Sequence, residues 1–236
     1  MKPDKIYVVH YTKLVERLTK LIPTLNASGV DYEIITEGDK EKFIFWKEDL
    51  YSMFDHTENN FNEKISKLWD SNIHKFRQLN FAEISCTVKH FLAIKKVAEE
   101  CPNFGLILED DVIFEPDFAP KFVQNLQDTP DDWDAIFMGV GCGLSFVTSK
   151  LRQENHIKGS VFKAEHPATN CAEAYLLKPA MAKKIYDGLP FSLVSDWEIA
   201  YHLYKNNANV YWWFPALATQ GSKNGMFKSE LDLGQR

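Results

Sequence analysis

The chain predicts an α/β fold in which helices flank a central sheet, and three observations carry that expectation. Strand-like and helix-like patterns alternate along the chain from its start. Residues 105–108 and 135–138 are short apolar runs of the kind buried on both faces of a sheet. The 236 residues, 45% apolar and 14% aromatic, can fill one large core, so a single domain spanning 1–236 is expected.

The elements follow in order. Residues 6–10 are a β-branched run, and residues 12–25 place Leu14, Leu18, Leu21, Ile22 and Leu25 on one helical face, closed by Asn26-Ala27-Ser28-Gly29. Residues 32–35 read as a second strand. A strand–helix–strand unit of this length implies parallel pairing and a right-handed connection. From 37 to 80 the pattern weakens into charged, aromatic-rich sequence, expected to form short helices and loops packed on the sheet. A clear helix returns over 83–100 with Ile84, Val88, Phe91, Leu92 and Val97 facing inward, and Cys101-Pro102-Asn103 stops it. The apolar strand 105–108 then ends abruptly in Glu109-Asp110-Asp111. Next come a helix over 117–126, a strand over 135–138, a glycine-rich turn over 139–143 and a polar, mobile loop over 150–163. Strand 175–177, helix 179–186 with proline in its first turn, helix 195–205 and strand 210–214 complete the pattern, and the tail from 219 has little periodicity.

Composition narrows the function. Thirty-three acids against 27 bases give a net charge of −6, which argues against a protein that holds nucleic acid by neutralising phosphates. Cys86, Cys101, Cys142 and Cys171 show no Cys-x-x-Cys spacing, so neither a zinc site nor a disulfide framework is indicated; small apolar fillers in a reducing compartment are expected. No stretch of about 18 apolar residues occurs. The expectation is a cytoplasmic protein whose association with a membrane, if it has one, is peripheral.

Three segments could carry chemistry. The carboxylates of Glu109, Asp110 and Asp111 at the mouth of a buried strand repel one another unless a cation sits among them, and their oxygens suit Mg²⁺ or Mn²⁺; a solvated acidic turn is the plain alternative. Ligands of open α/β sheets also bind beyond the carboxyl ends of strands. In Ser195-Asp196-Trp197-Glu198 the spacing of Ser195 and Glu198 is that of a capping box, and Asp196 falls in the first turn. The helix terminus should hold the Asp196 carboxyl low, although such a group can still take a proton as a new bond forms. The loop 219–225 offers backbone amides, the Ser222 hydroxyl and Lys223, which could close over a diphosphate; a surface loop fits equally well. Lys89 and His90 lie together in the helix that leads to the acidic turn.

Taken together, these segments resemble glycosyltransferase family 25, the group of bacterial lipooligosaccharide galactosyltransferases and collagen galactosyltransferases. The opening strand and the helix containing Arg17 fit it, as does Ala82-Glu83-Ile84-Ser85-Cys86 followed by His90. Residues 104–118, with Leu-Ile-Leu-Glu-Asp-Asp-Val and Glu-Pro-Asp-Phe, resemble its acidic-motif region closely. Residues 133–139, 174–177 and 195–197, and Pro215-Ala216-Leu217 with Gln220, fit later landmarks, whereas 40–80 shows no match. Two positions depart from the family pattern: Lys89 replaces a serine before the histidine, and Glu109 opens the acidic motif in place of aspartate.

The resemblance implies a GT-A fold with a Rossmann-like mixed sheet, its nucleotide-sugar half in 1–115 and its acceptor half in 116–236. It implies a nucleotide-sugar donor, usually UDP-linked, a saccharide or glycoconjugate acceptor, Mn²⁺ or Mg²⁺, and transfer of a hexose, galactose favoured, with inversion. Asp111 would hold the metal, with Glu109 or Asp110 on the ribose or on a metal-bound water, and Glu109 a second candidate metal ligand. Asp196 would be the base. Val8, His10, Tyr11, Thr36 and Glu37 would line the uridine pocket, Arg17 and His90 would assist there, and Ser222 and Lys223 would meet the diphosphate. A metal-dependent phosphoesterase or sugar hydrolase, or a non-catalytic saccharide-binding protein of the same fold, are the alternatives.

Overall fold

The computed structural model describes residues 1–41, 52–69, 74–140, 151–167 and 172–229. Its centre is an eight-stranded mixed sheet of order β2-β1-β3-β8-β5-β9-β7-β6. The strands are β1 Lys5–Val9, β2 Tyr32–Ile35, β3 Gly105–Glu109, β5 Ala135–Phe137, β6 His156–Lys158, β7 Val161–Lys163, β8 Ala174–Leu177 and β9 Val210–Trp213. As expected from the opening pattern, β1 pairs in parallel with β2, and also with β3. β8 runs antiparallel to both β3 and β5, which makes the sheet mixed. A small second sheet pairs β4 (Val112–Phe114) antiparallel with β10 (Ala218–Gln220).

The α-helices are α1 Val15–Ser28, α2 Glu58–Leu68, α3 Phe81–Glu100, α4 Phe118–Asp128, α5 Pro179–Tyr186 and α6 Ser195–Lys205. Alternation along the strands divides the core between the two faces of the sheet. Tyr7, Ile107, Tyr175 and Leu177 pack with α3, α5 and α6. Ile6, Val8, Leu106, Leu108 and Leu176 pack on the other side with α1 and α4. α3 is the best-specified helix: the Asn80 side chain accepts from the Glu83 N–H, and the Glu83 carboxylate accepts from the Asn80 N–H. Gly29 ends α1 in the left-handed region, at φ 61°, where a side chain would be strained.

Two expectations need correction. α1 starts at Val15 rather than 12, because Tyr11 O already takes the Leu14 N–H in a turn. The described part of the polar loop 150–163 is ordered as a 3₁₀ turn, Gln153–Asn155, and the hairpin β6–β7 at the sheet edge. Three-residue strands are too short to show a period, and only Val161 is buried, opposite Trp213. The turn 139–143 lies mostly outside the described residues, as do Cys142 and Cys171.

From the illegible stretch 37–80 the structure forms α2. Thr57 caps it by accepting the Asn60 N–H, and Phe61, Ile65 and Leu68 pack against Leu193 and against Ala200 of α6. Residues 53–55 bond to the Phe191 backbone and so tie this segment to the chain entering α6.

Candidate active site

The register of β1 on β3 pairs Val9 with Glu109, so the loop after β1 and the acidic turn emerge side by side at the carboxyl end of the sheet. β10, paired to β4, brings the segment after Gln220 across the same turn. Gln220 Nε2 donates to Glu109 Oε2 at 2.7 Å, the Gly221 N–H donates to Asp111 O at 2.8 Å, and the Ser222 N–H donates to Asp111 Oδ2 at 3.0 Å. Glycine is required at 221: a Cβ there would lie 2.9 Å from Asp111 O and 2.5 Å from the Phe227 ring.

The three acids have different partners. Asp110 turns inward, where His10 Nδ1 (2.8 Å) and the Tyr11 N–H (3.3 Å) donate to one oxygen and Arg17 (2.9 Å) donates to the other. This clamp ties the loop after β1 and helix α1 to the acidic turn. Asp111 is buried and keeps one oxygen, Oδ1, without any hydrogen-bond partner. Glu109 is partly exposed and meets His90 Nε2 at 3.3 Å, while His90 Nδ1 faces the Tyr175 hydroxyl at 3.1 Å.

A buried carboxylate oxygen left unpaired is costly, and a bound cation is the chemistry that satisfies it. Electrostatics agree: burial, and then the charge of Glu109, push the Asp111 carboxyl up to about 6 against the pull of the Ser222 N–H and Arg17. The donor set therefore fits a hard divalent ion held by Asp111, with Glu109 beside it. A pocket opens onto these groups, lined by Tyr11, Lys40, Lys89, Glu109, Asp111 and Lys223 among others.

Asp196 sits in the first turn of α6, its Oδ1 accepting the Trp197 N–H at 3.1 Å. Two expectations fail at this turn. The Asp196 carboxyl is not lowered by the helix terminus; burial, with the charge of Glu109 second, pushes it up to about 7 despite Lys223. Ser195 is no capping residue either, since Val194 is the N-cap and makes no side-chain cap bond. Glu198 reaches past it to accept the N–H groups of Ser192 and Leu193, both at 2.9 Å, because a fully buried carboxylate must find donors. Lys64 and His202 complete its surroundings.

The remaining expected residues divide. Tyr11, Arg17, Ser222 and Lys223 line the pocket with Asp110, Asp111 and Glu109. Val8 is fully buried in the core against the α1 side, and its neighbour Val9 lines the pocket instead. Thr36 and Glu37 bond locally to each other after β2; Asp39, two residues further on, is the buried acid there. Asp39 accepts from Thr12 and, at 2.7 Å, from Lys89, which also donates to Ser85. Nothing local in the sequence marks Asp39. Cys86 was also unexpected as a site residue: its thiol, His90 and Glu109 have donor atoms within 4.8 Å of one another. The i, i+4 spacing of Cys86 and His90 on a helix is the signal that points to it.

A mixed sheet whose polar groups converge beyond the carboxyl ends of adjacent parallel strands puts the chain in the class of α/β proteins that bind ligands at that edge. Residues 3–196 match the family described as glycosyltransferase family 25 (LPS biosynthesis protein), and the chain belongs to that family. It is 24% identical over 217 residues to a glycosyltransferase 25 family member of Aedes aegypti, covering 90% of this chain and 33% of that protein. It is 23% identical over 146 residues to procollagen galactosyltransferase 2 of Mus musculus, covering 58% and 20%. The chain thus spans about a third or less of the length of these relatives. Among solved structures, a UDP-glucose pyrophosphorylase complexed with UDP-glucose superposes with a TM-score of 0.47 at 12% identity, covering 90% of each chain, too loosely to carry an argument.

Proposed function

We propose that the protein is an inverting, metal-dependent glycosyltransferase that moves a hexose, galactose favoured, from a UDP-sugar to a saccharide acceptor. The observation that carries this reading is the Asp111 carboxylate, fixed on one oxygen by the Ser222 N–H and left unpaired on the other at the mouth of the pocket. Membership of the family and the likeness to a procollagen galactosyltransferase support the transferase class and the sugar.

Each residue then has a task. Asp111 and Glu109 hold the Mn²⁺ or Mg²⁺, which supplies charge to offset the departing diphosphate. The loop bearing Ser222 and Lys223 brings a hydroxyl and an ammonium to the same phosphates, where donors placed in advance lower the barrier. Tyr11 and Val9 flank the nucleoside side of the pocket, and the Asp110–Arg17–His10 clamp keeps that wall in register with the acidic turn. Asp196 takes the proton of the attacking acceptor hydroxyl, and a carboxyl near 7 is well matched to that work at neutral pH.

The test is turnover of UDP-sugars with Mn²⁺ present, read as UDP release and as the anomeric configuration of the product. Asp111→Ala should abolish release while the protein remains folded by circular dichroism. Normal turnover by that variant removes the metal role, and a retained anomer removes the inverting mechanism.

A further inference from the structure

The hard-cation reading leaves Cys86 without a purpose, yet Cys86 and His90 stand one turn apart on α3 and face Glu109. We infer that Cys86 Sγ, His90 Nε2 and Glu109 Oε1 form a second metal site, one that selects a soft ion such as Zn²⁺ over Mn²⁺ or Mg²⁺.

The donor set is the first argument. Thiolate, imidazole and carboxylate together suit Zn²⁺ and are a poor match for hard cations, which prefer oxygen. Tetrahedral zinc ligands stand about 3.4 Å apart given bond lengths near 2.1 Å. His90 Nε2 and Glu109 Oε1 are already 3.3 Å apart, so only the short Cys86 side chain has to turn inward.

Orientation is the second argument. Metal-bound histidines normally hold their other ring nitrogen against an oxygen, which fixes the tautomer, and ligating carboxylates are themselves hydrogen-bonded. Here the buried Tyr175 hydroxyl faces His90 Nδ1 at 3.1 Å and aims Nε2 at the site. Gln220 Nε2 occupies Glu109 Oε2 at 2.7 Å, which leaves Oε1 for the ion. On binding, the Cys86 thiol loses its proton to solvent, and His90 carries its remaining proton on Nδ1. Three protein ligands leave the fourth position to water from the pocket that Cys86 and Glu109 both line.

Because Glu109 serves both sites, zinc would displace it from the hard cation and slow transfer. That consequence rests on the transferase reading; the binding itself does not.

Co²⁺ added to the metal-free protein tests the site directly. One equivalent should produce a thiolate-to-cobalt charge-transfer band that Zn²⁺ removes. Cys86→Ser should lose the band and bind Zn²⁺ at least about a hundredfold more weakly, and Tyr175→Phe should weaken Zn²⁺ about tenfold. Asp111→Ala should keep the band while losing Mn²⁺ binding, which separates this site from the transferase reading. Absence of the band in the parent protein, or its survival in Cys86→Ser, overturns the inference. A measurement that needs no variant guards against misfolding: Zn²⁺ should slow alkylation of Cys86, mapped by mass spectrometry, at least about tenfold. Alkylation of Cys86 at an unchanged rate overturns the inference as well.

Discussion

Glu109 sets the charge of its neighbours. Its carboxylate raises the proton affinity of Asp111, Asp196 and Cys86 together, and burial does so more strongly at each. Opposing cations are largely engaged elsewhere: Arg17 is bonded to Asp110 and Lys89 to Asp39. Asp196 therefore keeps a proton affinity near neutrality that a carboxylate in water would lack. From this follows a pH dependence. With metal saturating, transfer should rise as Asp196 ionises and level off above, with a midpoint no higher than about 7 because the bound cation offsets the Glu109 charge. Asp196→Asn should bind the donor with unchanged affinity by calorimetry while transfer falls at least about a hundredfold, the usual contribution of a positioned base. If the variant transfers at the parent rate, the base is a different residue.

Helix α6 presents Asp196 only because its entry is fixed, and Glu198 is the residue that fixes it. Burial alone would raise the Glu198 carboxyl; His202 and Lys64 outweigh that and hold it below the ordinary range. The ionised group then locks the Ser192 and Leu193 N–H donors ahead of the helix. Glu198→Ala should cost about 3 kcal/mol in urea unfolding, since it strands Lys64 and two buried donors. A loss below about 1 kcal/mol would mean that water replaces the carboxylate there. This arrangement also shows where local pattern misleads. Serine followed by glutamate three residues on reads as a capping box, but the glutamate points at the preceding loop instead. Long elements were legible: α3 shows its period over 20 residues, and β3 is apolar from Gly105 to Leu108. β6 and β7, three residues each, and α2, whose apolar positions are diluted by charge, depend on partners distant in the chain. The acidic turn could be read from sequence because its three acids are contiguous. The clamp on Asp110 and the Asp39–Lys89 pair join segments as much as 100 residues apart, as with His10 and Asp110, and no local pattern encodes them, while of the Cys86–His90–Glu109 cluster only the i, i+4 pair shows in the sequence.

Across the described residues, the carboxylates whose proton affinity is shifted fall into two groups that respond to pH in opposite directions. Glu33, Asp39, Glu41, Glu83, Glu100, Asp128 and Glu198 are held below their ordinary values, so the stability they contribute is lost only as pH falls below about 4. Asp111 and Asp196 are raised, to about 6 and about 7. The folded state binds their protons more tightly than the unfolded chain does, so the stability that protonation confers is present at low pH and disappears as pH rises through those values. Between about pH 5 and 8 the first group is already fully ionised, and the raised pair governs the slope. The metal-free protein should therefore melt at a lower temperature at pH 8 than at pH 5.5. Asp111→Asn should reduce that fall, because an amide carries no charge to bury. Mn²⁺ should restore the midpoint at pH 8, since an ion that binds only the folded state stabilises it in proportion to its occupancy, and it should do little at pH 5, where protons compete for Asp111. A midpoint that stays level from pH 5 to 8, with and without Mn²⁺, would show that the acids are solvated rather than gathered around a cation. The acidic turn would then lose its claim to a catalytic role.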